Sequence, residues 1–293
     1  MSKTIKILHF SDIHMGFSLK KLKPHTILNK RAIGIANLLR GRAKHFDDAV
    51  SKIEALIKFK QQNDIDIVIN TGDYTALGLE HELEFAKECV EPLMYPNDRY
   101  ITVPGNHDIY VHKASSHYNF NNLFCNVLYS DMPQYCQKSI WPLVRLIDEH
   151  IAIIALNSAK PNPYPWRSDG LIPTEQLDAF DALLKDDKIK NRFIFVITHY
   201  APRLENHKPD THLHGLHNAN DFLDICQKIN NGAILFGHIH KTYRVKLDDI
   251  QSELFCAGSA TMKHKEGAWL FEITDNHLEA KKLYWNGKVF HTK

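Results

Sequence analysis

The stretch Ile5-Lys6-Ile7-Leu8-His9-Phe10-Ser11-Asp12-Ile13-His14 decides the architecture. Its first six residues form a short apolar run that ends in a polar cluster, the pattern of a buried strand running into a loop. Runs of the same kind, rich in Ile, Val and Phe, recur at residues 65–69, 101–103, 151–156, 193–197 and 233–236. Between them lie segments with helical spacing. Ile53, Leu56 and Ile57 follow the acids Asp47 and Asp48; Leu177, Phe180 and Leu184 follow Thr174 as a cap; Phe222, Ile225, Cys226 and Ile229 follow Asn220. Strand and helix alternate, which predicts an α/β fold with helices covering a central sheet.

After residue 240 only strands are expected, at 242–247, 254–257, 268–273 and 278–284, the last followed by a turn at Asn286-Gly287. This stretch is too short for a second domain and is read as the closing sheet of one domain spanning 1–293. With 293 residues, 44% hydrophobic and 24% charged, the composition is that of an ordinary folded protein. The longest apolar run, 151–156, is far below the roughly 18 residues of a spanning helix. The N-terminus lacks the apolar core of a signal peptide, so a cytoplasmic location is expected. Five cysteines without CxxC spacing indicate neither a disulfide framework nor a thiolate zinc site.

Nearly every expected strand ends in the same kind of chemistry. Ser11-Asp12-Ile13-His14 follows the first, Thr71-Gly72-Asp73 the second, and Pro104-Gly105-Asn106-His107-Asp108 the third; later strands run into Thr198-His199 and Gly237-His238-Ile239-His240. Loops at the carboxyl ends of strands in an open α/β sheet converge on one crevice. Imidazoles, carboxylates and a carboxamide without thiolates suit divalent Mn, Fe, Zn or Co, and the donors outnumber what one tetrahedral ion uses, so two ions are implied. A carboxylate can touch both of two ions roughly 3.5–4 Å apart. The glycines before Asp73, Asn106 and His238 let the backbone turn sharply.

Taken together, D-x-H, G-D, G-N-H-D, a strand-terminal H and G-H-x-H resemble the calcineurin-like metallophosphoesterase superfamily, from Asp12 to His240. The resemblance implies an αββα sandwich of two mixed sheets flanked by helices. It implies that Asp12, His14 and His240 hold one ion, that Asn106, His199 and His238 hold the other, and that Asp73 bridges them. His107 would be the general acid or a clamp on the phosphate. Asp108 would either orient His107 or serve the loop. The segment after Gly72-Asp73 departs from the V-D-R-G continuation of protein phosphatases, and Asp108, Ala86, Asn157 and the 170–177 loop and helix look most like the bacterial branch that includes class III cyclic-nucleotide phosphodiesterases and UDP-2,3-diacylglucosamine hydrolases. The expected reaction is hydrolysis of a phosphodiester or pyrophosphate by a hydroxide shared between two ions, on a UDP-acylated sugar or, alternatively, a soluble cyclic nucleotide. Scaffold members such as the retromer subunit lose metal-binding side chains, whereas every position is filled here.

Between Asp12 and Asp73 lies an apparent insertion. Residues 17–46 hold eight Lys or Arg and no acid, against 28 basic and 34 acidic residues elsewhere. Leu28, Ala32, Ile35 and Leu39 recur at helical spacing, predicting a basic amphipathic helix. Lys30, Arg31 and Arg40 are expected to meet an anionic substrate or the inner membrane surface, the alternative being a packed helix with solvated charges. Few aromatic residues lie between Phe17 and Phe46, which argues against nucleic acid. His207, His212, His214 and His217 crowd the loop after His199, and His207 and His217 are expected to contact substrate at the crevice mouth.

Overall fold

The computed structural model describes residues 4–293 apart from 17, 23–28, 112–113, 137 and 163. The apolar runs become strands of two six-stranded mixed sheets. In the first sheet, β1 (Ile5–Phe10), β2 (Ile67–Asn70) and β3 (Tyr100–Thr102) run parallel, with Ile7 opposite Ile67 and Ile69 opposite Ile101. The second sheet holds β4 (Leu143–Ile147), antiparallel to β5 (Ile151–Ala155), and then the parallel β6 (Phe193–Ile197) and β7 (Gly232–Phe236).

The strands after residue 240 do not form a closing sheet of their own, contrary to expectation. β8 (Tyr243–Val245) and β9 (Glu253–Cys256) complete the second sheet beside β7. β10 (Ala268–Thr274), β11 (His277–Trp285) and β12 (Phe290–Thr292) extend the first, and β10 lies antiparallel to β1 with Ile5 opposite Ile273. The reason is the edge of β1: its other side is taken by β2, and an unpaired apolar strand needs a partner for its backbone.

Continuous apolar strands are explained by burial on both faces. In β6, Phe193, Phe195 and Ile197 belong to the core that joins the two sheets, whereas Ile194 and Val196 face the second cluster. Phe195 and Phe255 meet Phe271 of the opposite sheet at centroid distances of 5.9 and 5.0 Å. After α1 (Arg31–Leu39), α2 (Ala49–Gln62), α3 (Glu80–Met94) and α4 (Ala114–Leu123) join the first core through Ile53, Leu56, Leu83, Val90 and Phe120; outside the second sheet pack α5 (Thr174–Leu183) and α6 (Ala219–Cys226), through Leu177, Phe180 and Phe222. The layers are therefore helix, sheet, sheet, helix. Among the described residues no helix is long and apolar enough to cross a membrane.

The basic segment contains the expected helix, at Arg31–Leu39, but with a different buried face. Leu38 is buried and packs with Ile35 on Ala76, Leu77 and Leu79, whereas Leu39 is 59% exposed and Ala32 is exposed. Phe17, Lys23 and Leu28 lie outside the described residues.

Lys52 of α2 is fully buried, pairs with Asp48 at 2.8 Å and Glu266 at 2.7 Å, and donates to the carbonyl of Thr261 at 2.9 Å. It ties the helix layer to the 259–266 loop. Removing one partner of a buried pair leaves charge uncompensated. Lys52→Met, which keeps the aliphatic stem, is expected to lower unfolding stability by about 3 kcal/mol in urea titration, the lower end because Asp48 is half exposed; a loss under about 1 kcal/mol would contradict this.

Candidate metal centre

The strand ends bring the expected donors to the junction of the two sheets. Asp12 and His14 follow β1, Asp73 follows β2, Asn106 follows β3, His199 follows β6, and His238 and His240 follow β7. The sheets are stitched here: the amide of His238 donates to Oδ2 of Asp12 at 2.9 Å and Ser259 Oγ to Asp12 O at 2.6 Å, while within the first sheet the amide of Asp12 donates to Gly72 O at 2.9 Å. Close approach explains two of the glycines. A Cβ at Gly105 would lie 2.1 Å from Asp73 Oδ1, and one at Gly237 2.0 Å from Ser11 Oγ.

The backbone is strained at the donors. Asp12, His14, Asp73, His238 and His240 all have positive φ, between 42° and 70°. Such conformations are uncommon for non-glycine residues and cluster at functional sites, held by the surrounding structure.

Backbone carbonyls fix the rings. A carbonyl can only accept, so Nδ1 of His14 donates to Thr75 O (2.9 Å), Nδ1 of His199 to Thr71 O (2.7 Å), and Nε2 of His238 to His214 O (3.0 Å). The remaining nitrogens of these three rings carry lone pairs, and those of His199 and His238 point at another acceptor. His199 Nε2 and His238 Nδ1 lie 3.0 and 2.9 Å from Asn106 Oδ1. His14 Nε2 lies 3.0 Å from His240 Nε2, which faces Asp12 Oδ1 at 3.1 Å. His14 and His199 approach Asp73 Oδ2 at 3.7 and 3.6 Å.

Electrostatics give the same picture. Asp12, Asp73 and Asp108 are buried together, and among the described residues no Lys or Arg pairs with any of them. Burial, followed by repulsion from Asp12 and Asp108, holds the Asp73 carboxyl well above the usual range. Burial lowers His14, His199 and His238, keeping them neutral, the form that ligates. Desolvated acceptors facing one another are unfavourable unless a proton or a cation lies among them. The donors therefore fit divalent ions. Four residues, Asp12, His14, Asp73 and His240, present ligand atoms all within 4.8 Å of one another.

The family profile of the calcineurin-like phosphoesterases matches residues 5–242. The chain belongs to that family. It is accordingly a metal-dependent phosphoesterase, from a family that uses two divalent metals. Its fold is similar to that of a dimetal phosphatase from Danio rerio, with 11% identity, 95% of each chain covered and a TM-score of 0.66. It is also similar to the purple acid phosphatase PPD1 of yellow lupin, at 14% identity and a TM-score of 0.60, where all of this chain covers 53% of that one. The protein TT1561 of Thermus thermophilus gives 12% identity, 95% and 98% coverage, and a TM-score of 0.53. A search of curated protein sequences finds no match.

Around the donors opens a crevice of about 360 Å³, whose walls include Lys30, Arg42, His107, Tyr110, Arg167, His214 and Lys265. Some expected roles change. Asp108 does not reach the ring of His107. Its carboxylate accepts from the amides of Asp73, Tyr74, Thr75 and Gly105, all at 2.9–3.1 Å, so it serves the loop. His107 instead donates from Nδ1 to Ala76 O at 2.6 Å. Arg31 turns inward, giving hydrogen bonds to Leu77 O (2.8 Å) and Gly78 O (2.6 Å), and Arg40 is exposed away from the crevice. His207 is exposed in a turn, and His217 meets Asp169 at 3.0 Å and His212 O at 2.9 Å; neither lines the crevice. His214, from the same cluster, does. Arg42, which the sequence groups with Lys30, Arg31 and Arg40 beside the apolar stripe, does line the crevice. Sequence reasoning does not single out Tyr110, Arg167 or Lys265.

The loop that orients His14 and His107 is gripped from both sides. Arg31 takes its carbonyls, and Glu82 Oε2 takes the amides of Leu77 (2.9 Å) and Leu79 (3.2 Å). Burial raises the Glu82 carboxyl from 4.5 to about 7, against those amides and Arg31. A raised folded pKa means that the protonated form favours the fold. This contribution is complete below pH 4.5 and is lost as pH rises through about 7. Between pH 5 and 8.5, unfolding titrations should therefore show Glu82→Gln gaining on the native protein by up to about 3 kcal/mol. A difference that stays constant with pH would refute the assignment.

Proposed function

We propose that the protein hydrolyses a phosphodiester or pyrophosphate bond with two divalent ions, Asp12, His14 and His240 holding one, Asn106, His199 and His238 the other, and Asp73 touching both. The observation that carries this reading is the pair of lone pairs on His199 and His238 that face Asn106 Oδ1 at 3.0 and 2.9 Å, beside the close cluster of Asp12, His14, Asp73 and His240. Donors of nitrogen and oxygen without thiolate suit Mn, Fe or Zn. Such ions, when bound, supply Lewis acidity towards phosphoryl oxygens and bring the pKa of a water near neutrality.

The remaining work falls to the chain. Thr71, Thr75 and His214 carbonyls keep the imidazoles aimed and in one tautomer. His107, on the crevice wall with Nδ1 committed to Ala76, keeps Nε2 for a phosphoryl oxygen or the leaving group. Ser11 and Thr198, beside the donors, are not placed as nucleophiles: both are fully buried, and their hydroxyls donate to Gly72 O and Ser158 Oγ. Asp73→Asn should abolish Mn-dependent hydrolysis of bis(p-nitrophenyl) phosphate and reduce the metal content from two ions per chain, with circular dichroism unchanged. Full activity with at most one ion by elemental analysis would overturn the reading.

A lipid-linked substrate such as a UDP-acylated sugar, met at the inner membrane face, is favoured over a soluble cyclic nucleotide by one feature. Ile33 lines the crevice while 49% exposed, and Leu39 stands exposed next to Arg40. The protein should co-sediment with anionic liposomes at low salt, and Ile33→Ser/Leu39→Ser should abolish the fraction that resists added salt. No co-sedimentation at low salt would leave the soluble substrate.

A further inference from the structure

Three cations converge on the crevice from separate elements. Lys30 precedes the 31–39 helix, Arg42 opens the short 42–46 turn, and Lys265 stands on the loop anchored by Ser259 and Thr261 to the backbone of Asp12 and Ile13. All three line the same wall as Asp73, Asn106 and His107. Among the described residues, none of them has a carboxylate within ion-pairing distance. The neighbouring Arg167 differs, because buried Asp169 answers its charge at 2.7 Å while also meeting Lys160 at 2.6 Å.

Lys30 and Arg42 are half-buried, whereas Lys265 is exposed. Lys30 Nζ lies 4.1 Å from the Tyr110 ring centroid, and burial followed by Arg31 lowers its ammonium to about 8. The field of Arg42 reaches His14, His107 and Asp73. A centre that holds two divalent ions against two or three carboxylates is already positive. Adding three unanswered cations to the same walls is unfavourable in the empty crevice, and becomes favourable only when a ligand brings more negative charge than one phosphodiester.

We propose that Lys30, Arg42 and Lys265 form a second anion subsite, so that the crevice takes a substrate carrying a non-scissile phosphoryl group beside the one it cleaves. The inference rests on the metallohydrolase reading and selects, within it, pyrophosphate-type esters over simple diesters. The scissile phosphoryl lies at the metal donors, and the second is received by the guanidinium and the two ammonium groups.

The test titrates the Mn-loaded protein by calorimetry with adenosine 5′-phosphate and with α,β-methylene-ADP, which carries a second phosphorus group on a methylene bridge that cannot be hydrolysed. The native protein should bind the methylene diphosphate at least about tenfold more tightly, a preference that weakens with salt. Lys265→Gln, an exposed change, should reduce the preference several-fold, and Lys30→Gln/Arg42→Gln/Lys265→Gln should erase it. Equal affinity for the two probes in the native protein overturns the subsite. So does a preference that survives in the triple variant with native circular dichroism, because the metal ions would then account for it. If the triple variant does not fold, Lys265→Gln and Lys265→Glu decide: an unaltered preference in both overturns the proposal. The hydrolase reading is judged separately by Mn-dependent turnover of bis(p-nitrophenyl) phosphate and its loss in Asp73→Asn, so a failed subsite with intact turnover is recognisable as such.

Discussion

Repulsion among buried acceptors is the constraint around which the molecule is arranged. Asp12, Asp73, Asn106 and the free nitrogens of His14, His199, His238 and His240 sit in a desolvated seam between two sheets, and no lysine or arginine of the described chain pairs with them there. Such a group would spread apart if left to itself. The polypeptide prevents this from below, with hydrogen bonds that are almost all made by backbone: carbonyls that hold the far side of the His14, His199 and His238 rings, and amides that converge on Asp108. Positive φ at five donors is the local cost of that arrangement, and the packed sheets on either side absorb it.

Much of this is legible from residue order alone. Strand β1 and the five apolar runs after it stand out because burial on both faces leaves a strand with no polar alternation, and because each run stops in a cluster that has no reason to be apolar. The donors are legible for the same reason, being the polar residues nearest those stops. Strand β4 escapes notice because Arg145 interrupts its short apolar run, yet its neighbours Leu143 and Val144 are buried. Helix α3 escapes because Pro92 and a dense set of charges mask Leu83, Ala86 and Val90. The fate of the last five strands depends on which sheet edge is free, and that is a property of the assembled molecule.

The basic segment shows how helical spacing can identify an element and still misplace its face. Ala32, Ile35 and Leu39 form as good a stripe as Ile35 and Leu38, but only the second meets the apolar loop at 76–79. Once that contact is made, the charges sort themselves by geometry: Arg31 is directed into the loop, Lys30 and Arg42 into the crevice, and Arg40 outward. Similar charges in sequence thus become three different environments. A count of lysines and arginines carries none of that distinction.

The order in which the donors occur along the chain governs when a centre can exist. His238 and His240 are synthesised more than 220 residues after Asp12, and β1 lacks its second neighbour until β10 has been made. Contacts of such long sequence separation form late in folding. The nascent chain therefore carries its carboxylates and early imidazoles for most of synthesis without the partners that would complete a cation cage. The full set of donors can come together only after the chain through His240 has been made.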